Sequence, residues 1–239
     1  MTIEAFYEAL LAHGIQLTEK QKIQFERYFE LLVEWNGKIN LTAITDKEGV
    51  YLKHFYDSLM PLWTMPQDHY DVTLCDVGAG AGFPSIPLKI VKPELDVTIV
   101  DSLQKRITFL ELLVEELELD HVRCVHGRAE DVGQNKNYRE SFELVTARAV
   151  ASLNVLCEYC LPLVKKGGYF LALKAQKSDE EIAQAQKAIT VLGAKLEKQS
   201  DELLPMELSE RKFVLIKKTK ETPNQYPRKA GKPVKQPIQ

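Results

Sequence analysis

The sequence predicts an α/β fold, an open and mostly parallel sheet with helices on both faces, preceded by a helical extension. Two observations carry this. From residue 71 onward, short runs rich in Val, Ile and Leu alternate with helical stretches, and such alternation builds a parallel sheet covered on both sides. The first run, Val72-Thr73-Leu74-Cys75, leads directly into D-V-G-A-G-A-G-F-P at 76 to 84. In open sheets of this kind, ligands bind outside the carboxyl ends of the strands.

The first sixty or so residues read as helices. Thr18-Glu19-Lys20-Gln21 is a capping box, after which Ile23, Phe25, Tyr28, Phe29, Leu32 and Trp35 recur at helical spacing until Gly37 stops the run. Thr45-Asp46-Lys47-Glu48 is a second box. It opens a helix through Tyr51, Leu52, Phe55 and Leu59 that ends near Pro61, and residues 40–44 connect the two. Strands are predicted at Val72 to Val77, Val97 to Val100, Val122 to Val125, Leu144 to Ala147 and Tyr169 to Leu173, with two more near Lys195 to Gln199 and Phe213 to Lys217. Helices are predicted at Ser85 to Val91, Gln104 to Glu118, Ser152 to Val164 and Asp179 to Leu192. The Pro- and Lys-rich end from Glu221 is predicted to be extended unless it binds something. The chain thus divides into a helical cap (1–64), a core (65–220) and a basic tail (221–239).

Composition narrows the class. With 239 residues, 45% hydrophobic and 27% charged, the chain is that of an ordinary soluble globular protein. It has no apolar stretch of about 18 residues to cross a membrane, and Met1 to Phe6 lack the features of a secretory leader. Cys75, Cys124, Cys157 and Cys160 lie in apolar contexts, which suits a reducing cytoplasmic setting. Cys157 and Cys160 form a lone C-x-x-C without a second pair or a His at zinc spacing. They are predicted to pack one helix face, and no metal is expected. The net charge of -3 is uneven, because Lys217 to Gln239 carry +6 and the remainder -9. A basic end on an acidic body points to a polyanionic partner, or to a solubilising tail.

The glycine run separates two cofactor families. Dinucleotide binding needs G-x-G-x-x-G/A, and counting from Gly78 the last position falls on Phe83. Instead Gly78, Gly80 and Gly82 follow Asp76 as G-x-G-x-G, which resembles the first motif of class I S-adenosylmethionine-dependent methyltransferases. In that family the strand-end carboxylate lies near the methionine moiety, and the loop passes beneath the cofactor. About 20 residues on, Asp101 ends the second strand, where an acid takes ribose hydroxyls or caps the next helix. After the third strand, Gly127-Arg128-Ala129-Glu130 occupies the place that faces the adenine amino group in that family.

After the fourth strand comes Thr146-Ala147-Arg148-Ala149. The Asn/Asp-Pro-Pro-aromatic motif of exocyclic-amine methylation is absent there, as is the cysteine needed for pyrimidine carbon five. What remains suits an acceptor with a free lone pair, such as guanine N7, for which no base must first remove a proton and alignment suffices. Arg148 is suited to holding a base edge or phosphate, or to a structural salt bridge. His54 and Asp57-Ser58 lie one helical turn apart. With no nucleophile at a strand-end elbow, a hydrolase is excluded.

Together with N-L-T-A-I (40–44), H-F-Y-D-S (54–58), R-A-E-D (128–131), T-A-R-A (146–149), L-K-A (173–175) and P-R-K-A-G-K-P-V-K-Q-P at the end, these segments resemble the RsmG (glucose-inhibited division protein B) family of bacterial 16S rRNA guanine-N7 methyltransferases. The resemblance implies a class I, Rossmann-like fold with a seven-stranded, mostly parallel sheet, an antiparallel last strand and an edge hairpin. It implies methyl transfer from S-adenosyl-L-methionine to N7 of guanine 527 in the 530 loop. Gly78, Phe83, Ala129, Glu130 and Arg148 would contact the cofactor or line its pocket, and Lys174 and Arg211 would face rRNA. Arg128, Arg228, Lys229 and Lys232 are added as RNA contacts. The expected partner is 16S rRNA or a small-subunit assembly intermediate, and the protein is read as a cytoplasmic monomer. A small-molecule methyltransferase and a non-catalytic RNA-binding protein on the same fold stand as rivals.

Overall fold

The computed structural model describes residues 1–64, 73–148, 150–175, 179–206 and 209–239. Val72 and Ala149, assigned above to the first strand and to the segment after the fourth, lie outside them. Seven strands form one sheet: β1 (Thr73–Val77), β2 (Asp96–Asp101), β3 (Val122–His126), β4 (Phe142–Arg148), β5 (Val164–Ala175), β6 (Ala194–Leu204) and β7 (Ser209–Lys218), in the order β3-β2-β1-β4-β5-β7-β6. The first five run parallel, and β7 is antiparallel to both β5 and β6. The last two strands therefore form the expected antiparallel hairpin at the edge of the sheet. β7 inserts between β5 and β6, and β6 alone forms that edge. β1 and β2 are buried almost throughout, as expected of central parallel strands covered on both faces. The strand order reverses between β1 and β4, so the crevice for a ligand opens where the glycine loop, β2 and β4 end.

The connecting helices follow the predicted pattern: α6 (Ser85–Val91), α7 (Gln104–Glu116), α8 (Ala129–Gln134), α9 (Leu153–Cys160) and α10 (Asp179–Val191). The short α8 has too little periodicity to be predicted. α9 stops at Cys160 rather than Val164, because Pro162 cannot continue a helix and Val164 already belongs to β5.

Before the sheet come α1 (Ile3–Ala12), α2 (Glu19–Ile39), α3 (Lys47–Val50), a π-helical turn (Tyr51–Tyr56), α4 (Asp57–Leu59) and α5 (Pro61–Thr64). The predicted capping box is present: Gln21 N–H donates to Thr18 Oγ1 at 3.3 Å, and Thr18 N–H donates to Gln21 Oε1 at 2.8 Å. Gly37 does not stop α2. The helix continues to Ile39 and ends at Asn40, whose φ of 48° is left-handed. A glycine inside a helix costs only about 1 kcal/mol, which packing along this face outweighs.

The helical extension and the sheet share one apolar cluster. Phe6 packs edge-on against Phe25 and Tyr51, with centroids 5.3 Å apart in each pair, and the same cluster includes Ile86, Phe109 and Leu113 of the core helices. Polar fasteners reinforce it. Gln24 Nε2 donates to Leu117 O at 2.6 Å, and the fully buried Tyr28 hydroxyl donates to Ala81 O in the glycine loop at 2.7 Å. The extension therefore bears directly on the loop.

The C-terminal end is not extended. Its composition offers little apolar surface, but side chains of the core bind its backbone. Arg139 donates to Thr222 O and Tyr226 O, each at 2.7 Å, and Gln134 Nε2 to Pro227 O at 2.8 Å. Arg228 forms a forked pair with the buried Glu158 at 2.9 and 2.6 Å. A last short helix, α11 (Lys232–Lys235), follows. Lys218, counted above among the basic residues of the end, is fully buried in β7, with Nζ 3.0 Å from Glu140.

Candidate active site

The three loop glycines are all left-handed, but for different ends. Gly78 has φ 73°, and a Cβ there would lie 2.7 Å from Val150 Cγ2. Gly82 has φ 101°, and a Cβ would lie 2.8 Å from both the Tyr28 hydroxyl and Ile86. Gly82 thus lets the helical extension approach, whereas at Gly80, φ 63°, a Cβ would meet open space. The loop therefore offers bare backbone to the crevice and packs tightly behind.

A cavity of about 370 Å³ opens in front of it, walled by Gly78, Asp101, Arg128, Ala129, Glu130 and Val150. Small-molecule sites span about 300 to 1,000 Å³. The carboxylate of Asp101 accepts from Leu103 N–H at 2.9 Å and from Gly80 N–H at 3.2 Å, with Arg106 at 3.4 Å. It thus holds the glycine loop and the start of α7 together at the cavity wall. Arg128, placed with the RNA contacts above, is exposed, precedes Ala129 at the start of α8 and lines the rim of this cavity. Glu130 is buried and accepts from Gly231 N–H at 2.9 Å. Gly231 and Val234 complete the wall. Sequence reasoning missed both, because nothing local to a Lys- and Pro-rich tail says where it folds.

Asp76 lies behind the loop, fully buried. Its Oδ2 accepts from Ser85 N–H at 3.1 Å, while Oδ1 and the Ser85 hydroxyl have no partner. Burial pushes its carboxyl up to about 7, against the opposing pull of Ser85 and of Arg148. An unpartnered buried oxygen of this kind is costly unless a ligand satisfies it.

At the end of β4 the sequence-distant motifs converge. Arg148 Nη1 donates to Asp57 Oδ2 at 3.2 Å and to Ser58 Oγ at 3.4 Å, and Arg211 Nε donates to the other oxygen of Asp57 at 2.7 Å. The Arg148 guanidinium lies 5.0 Å from the Phe83 ring centre. Phe83 is itself stacked on Tyr28 and His54, at 5.3 and 4.6 Å. Phe83 is thus placed in this aromatic stack, joining loop to helical extension. The His54 ring nitrogens meet Thr42 Oγ1 at 2.7 Å and Lys53 O at 3.2 Å. Burial, with Arg148 nearby, pushes its imidazole down to about 4, so the ring is neutral. The pair flagged one turn apart on a helix is therefore a scaffold for Arg148.

The remaining basic residues are placed as follows. Lys174 is held by Glu181 at 2.7 Å and by Ala151 O at 3.0 Å, Arg211 by Asp57, and Arg228 by Glu158. Lys229 and Lys232 are exposed. Cys157 and Cys160 are both fully buried in α9, and burial raises all four thiols, Cys124 to about 12, so none is a ready thiolate. Among the described residues no group of His, Cys, Asp or Glu is arranged to hold a metal ion, and no helix is long and apolar enough to cross a membrane.

Residues 21–204 match the GidB family, described as rRNA small subunit methyltransferase G. Two relatives called ribosomal RNA small subunit methyltransferase G align over the whole of both chains, one from Lactobacillus acidophilus at 59% identity and one from Bacillus velezensis at 58%. Among solved structures, M. jannaschii TYW2 in complex with AdoMet superimposes with a TM-score of 0.57 at 14% identity, covering 74% of this chain and 79% of that one. That likeness is one of fold.

Proposed function

The chain belongs to the rRNA small subunit methyltransferase G family, and from that membership we propose that it methylates N7 of guanine 527 in the 530 loop of 16S rRNA. Membership makes it a methyltransferase of small-subunit rRNA that uses S-adenosylmethionine. The residues present fit that cofactor. The buried Asp76 has an oxygen without a partner, Gly80 leaves space where a side chain would intrude, and Asp101 stands at the cavity wall. When bound, S-adenosylmethionine supplies a methyl group on a positively charged sulfur, an electrophile for an aligned lone pair.

In this reading the bare loop allows close approach, and Asp76 and Asp101 face the positively charged methionine end and the ribose. Ala129 and Glu130 bound the adenine end. Arg148 holds the edge of the target base. The observation that carries the choice of N7 is the state of the groups around Arg148. Asp57 is occupied by two arginines, both ring nitrogens of His54 are engaged, and the thiols are raised by burial. None of these groups is thus free to act as general base or nucleophile, and guanine N7 needs neither, because its lone pair lies in the ring plane. Lys229 and Lys232 bind RNA phosphates, and the phosphate backbone competes with Glu181 and Asp57 for Lys174 and Arg211.

The test is to map N7-methylguanine in 16S rRNA from cells with and without the gene, and to repeat transfer with the purified chain on free rRNA and on subunits. Loss of the 530-loop modification in the deletion, restored by the chain, is expected. An unchanged modification would overturn the assignment.

A further inference from the structure

The basic end of the chain carries an unexpected role at the cavity, resting on the proposed use of S-adenosylmethionine. We propose that residues 228–236 form a strap that closes the adenosyl end of the cofactor cavity, with Gly231 and Val234 as binding residues.

Three observations support this. Gly231 N–H donates to Glu130 Oε1 at 2.9 Å, so the strap is tied to the residue that follows β3 at the cavity wall. Gly231 also has φ 80°, a conformation that favours glycine, and a Cβ there would meet nothing within 4 Å. Second, Val150 and Val234 are 40% and 58% exposed, and both line this one cavity. Two exposed branched apolar side chains on separate segments of one cavity wall are unfavourable in water and suit the flat face of a purine. Third, the strap is anchored on its near side by a buried charge pair. Glu158 is 1% exposed and takes Arg228 through both carboxylate oxygens, and Arg228 also donates to Gln236 O at 2.8 Å. Such a pair is expensive to open, because separation leaves a carboxylate buried alone. Arg228 is therefore a fastener of the strap, and the strap is a built wall.

The test uses full-length protein in which Val234→Asp or Gly231→Pro replaces one wall residue. Val234 is exposed, so V234D is expected to leave the melting temperature unchanged. G231P removes the N–H that Glu130 accepts and cannot adopt a φ near 80°. Calorimetric titration with S-adenosylmethionine and with 5′-methylthioadenosine should show about ten-fold weaker binding in each variant, the cost of placing a charge at, or opening, an apolar wall. The loss should be similar for both ligands, since the strap faces the part they share. In addition, S-adenosylmethionine should protect the unaltered chain from trypsin at Lys229 and Lys235, Lys232 being followed by Pro233. Equal affinities in variants and unaltered chain would overturn the strap alone. Failure of the unaltered chain to bind either ligand would overturn the cofactor assignment and the strap with it.

Discussion

Asp57 and Arg148, 91 positions apart, meet at 3.2 Å, and the second oxygen of the same carboxylate holds Arg211 at 2.7 Å. One acid on the helical extension thus fixes a cation from the end of β4 and another from β7. A carboxylate that gives one oxygen to each of two guanidinium groups holds both in place by charge-assisted hydrogen bonds. This is how the extension reaches the end of β4.

Replacing that acid tests the arrangement. Asp57→Asn keeps the shape and removes the charge shared by two arginines. Asp57 and Arg148 are both largely buried, so urea unfolding should show a loss of about 2 to 4 kcal/mol. Single-turnover methyl transfer at saturating S-adenosylmethionine should slow, with cofactor affinity retained. A normal rate would mean that Arg148 needs no support from Asp57.

Asp76 should make cofactor affinity depend on pH. Its folded pKa of about 7 lies above the ordinary 3.8 because burial disfavours the charged form. A positively charged ligand favours the carboxylate, so affinity should rise as pH increases through about 7. The ligand-free protein should behave in the opposite sense. A raised acid pKa contributes stability that is fully present below 3.8 and is lost as pH rises towards 7. Asp76→Asn should therefore stabilise the ligand-free chain at pH 8 by roughly 2 to 4 kcal/mol while flattening the affinity profile. Calorimetry and thermal melting across pH 5 to 8 check both signs.

His54 should act in acid. Its folded pKa, about 4, lies below the ordinary 6.5, so the neutral ring contributes stability above 6.5 that is lost as pH falls towards 4. The loss amounts to at most about 3 kcal/mol. His54→Gln also removes packing against Phe83, so the informative quantity is the difference in slope between the two proteins over pH 4 to 6.5. The Asp76 contribution, which runs the other way in part of this window, cancels in that difference. Parallel slopes would show that His54 stays neutral for no energetic reason.

The exposed lysines of the strap should carry electrostatics without chemistry. Changing Lys229, Lys232 and Lys235 together to Gln should reduce the dependence of log Kd on log salt for RNA by about 2, since each phosphate contact on a single strand contributes about 0.7. Cofactor affinity should hold. An unchanged salt slope would remove these lysines from the RNA face.

Local pattern made much of the molecule legible. Ser85 to Val91 was bounded to the residue by its position after the glycine turn, and the Thr18 capping box was visible because both partners lie within four positions. Gly37 was misleading, since a glycine is a weak stop when the helix face on either side of it is packed. The cavity's inner wall, Gly78, Asp101, Ala129 and Glu130, was readable from strand order, because a parallel sheet brings the ends of consecutive strands to one edge. Its outer wall was not, because Gly231 reaches Glu130 across 101 positions.

The sequence by itself determined the alternation of strands and helices, the glycine turn and the residue types available at each strand end, all set by periodicities of two and 3.6 residues and by which residues tolerate a positive φ. Only the tertiary structure decided which of these act together. It placed Phe83 in a stack with Tyr28 and His54, gave Asp57 two arginines, committed Arg228 to Glu158 and folded the basic end over the cavity. The reason is that buried charges and unpaired backbone groups must find partners wherever the packed chain brings them, and those partners are distant in sequence.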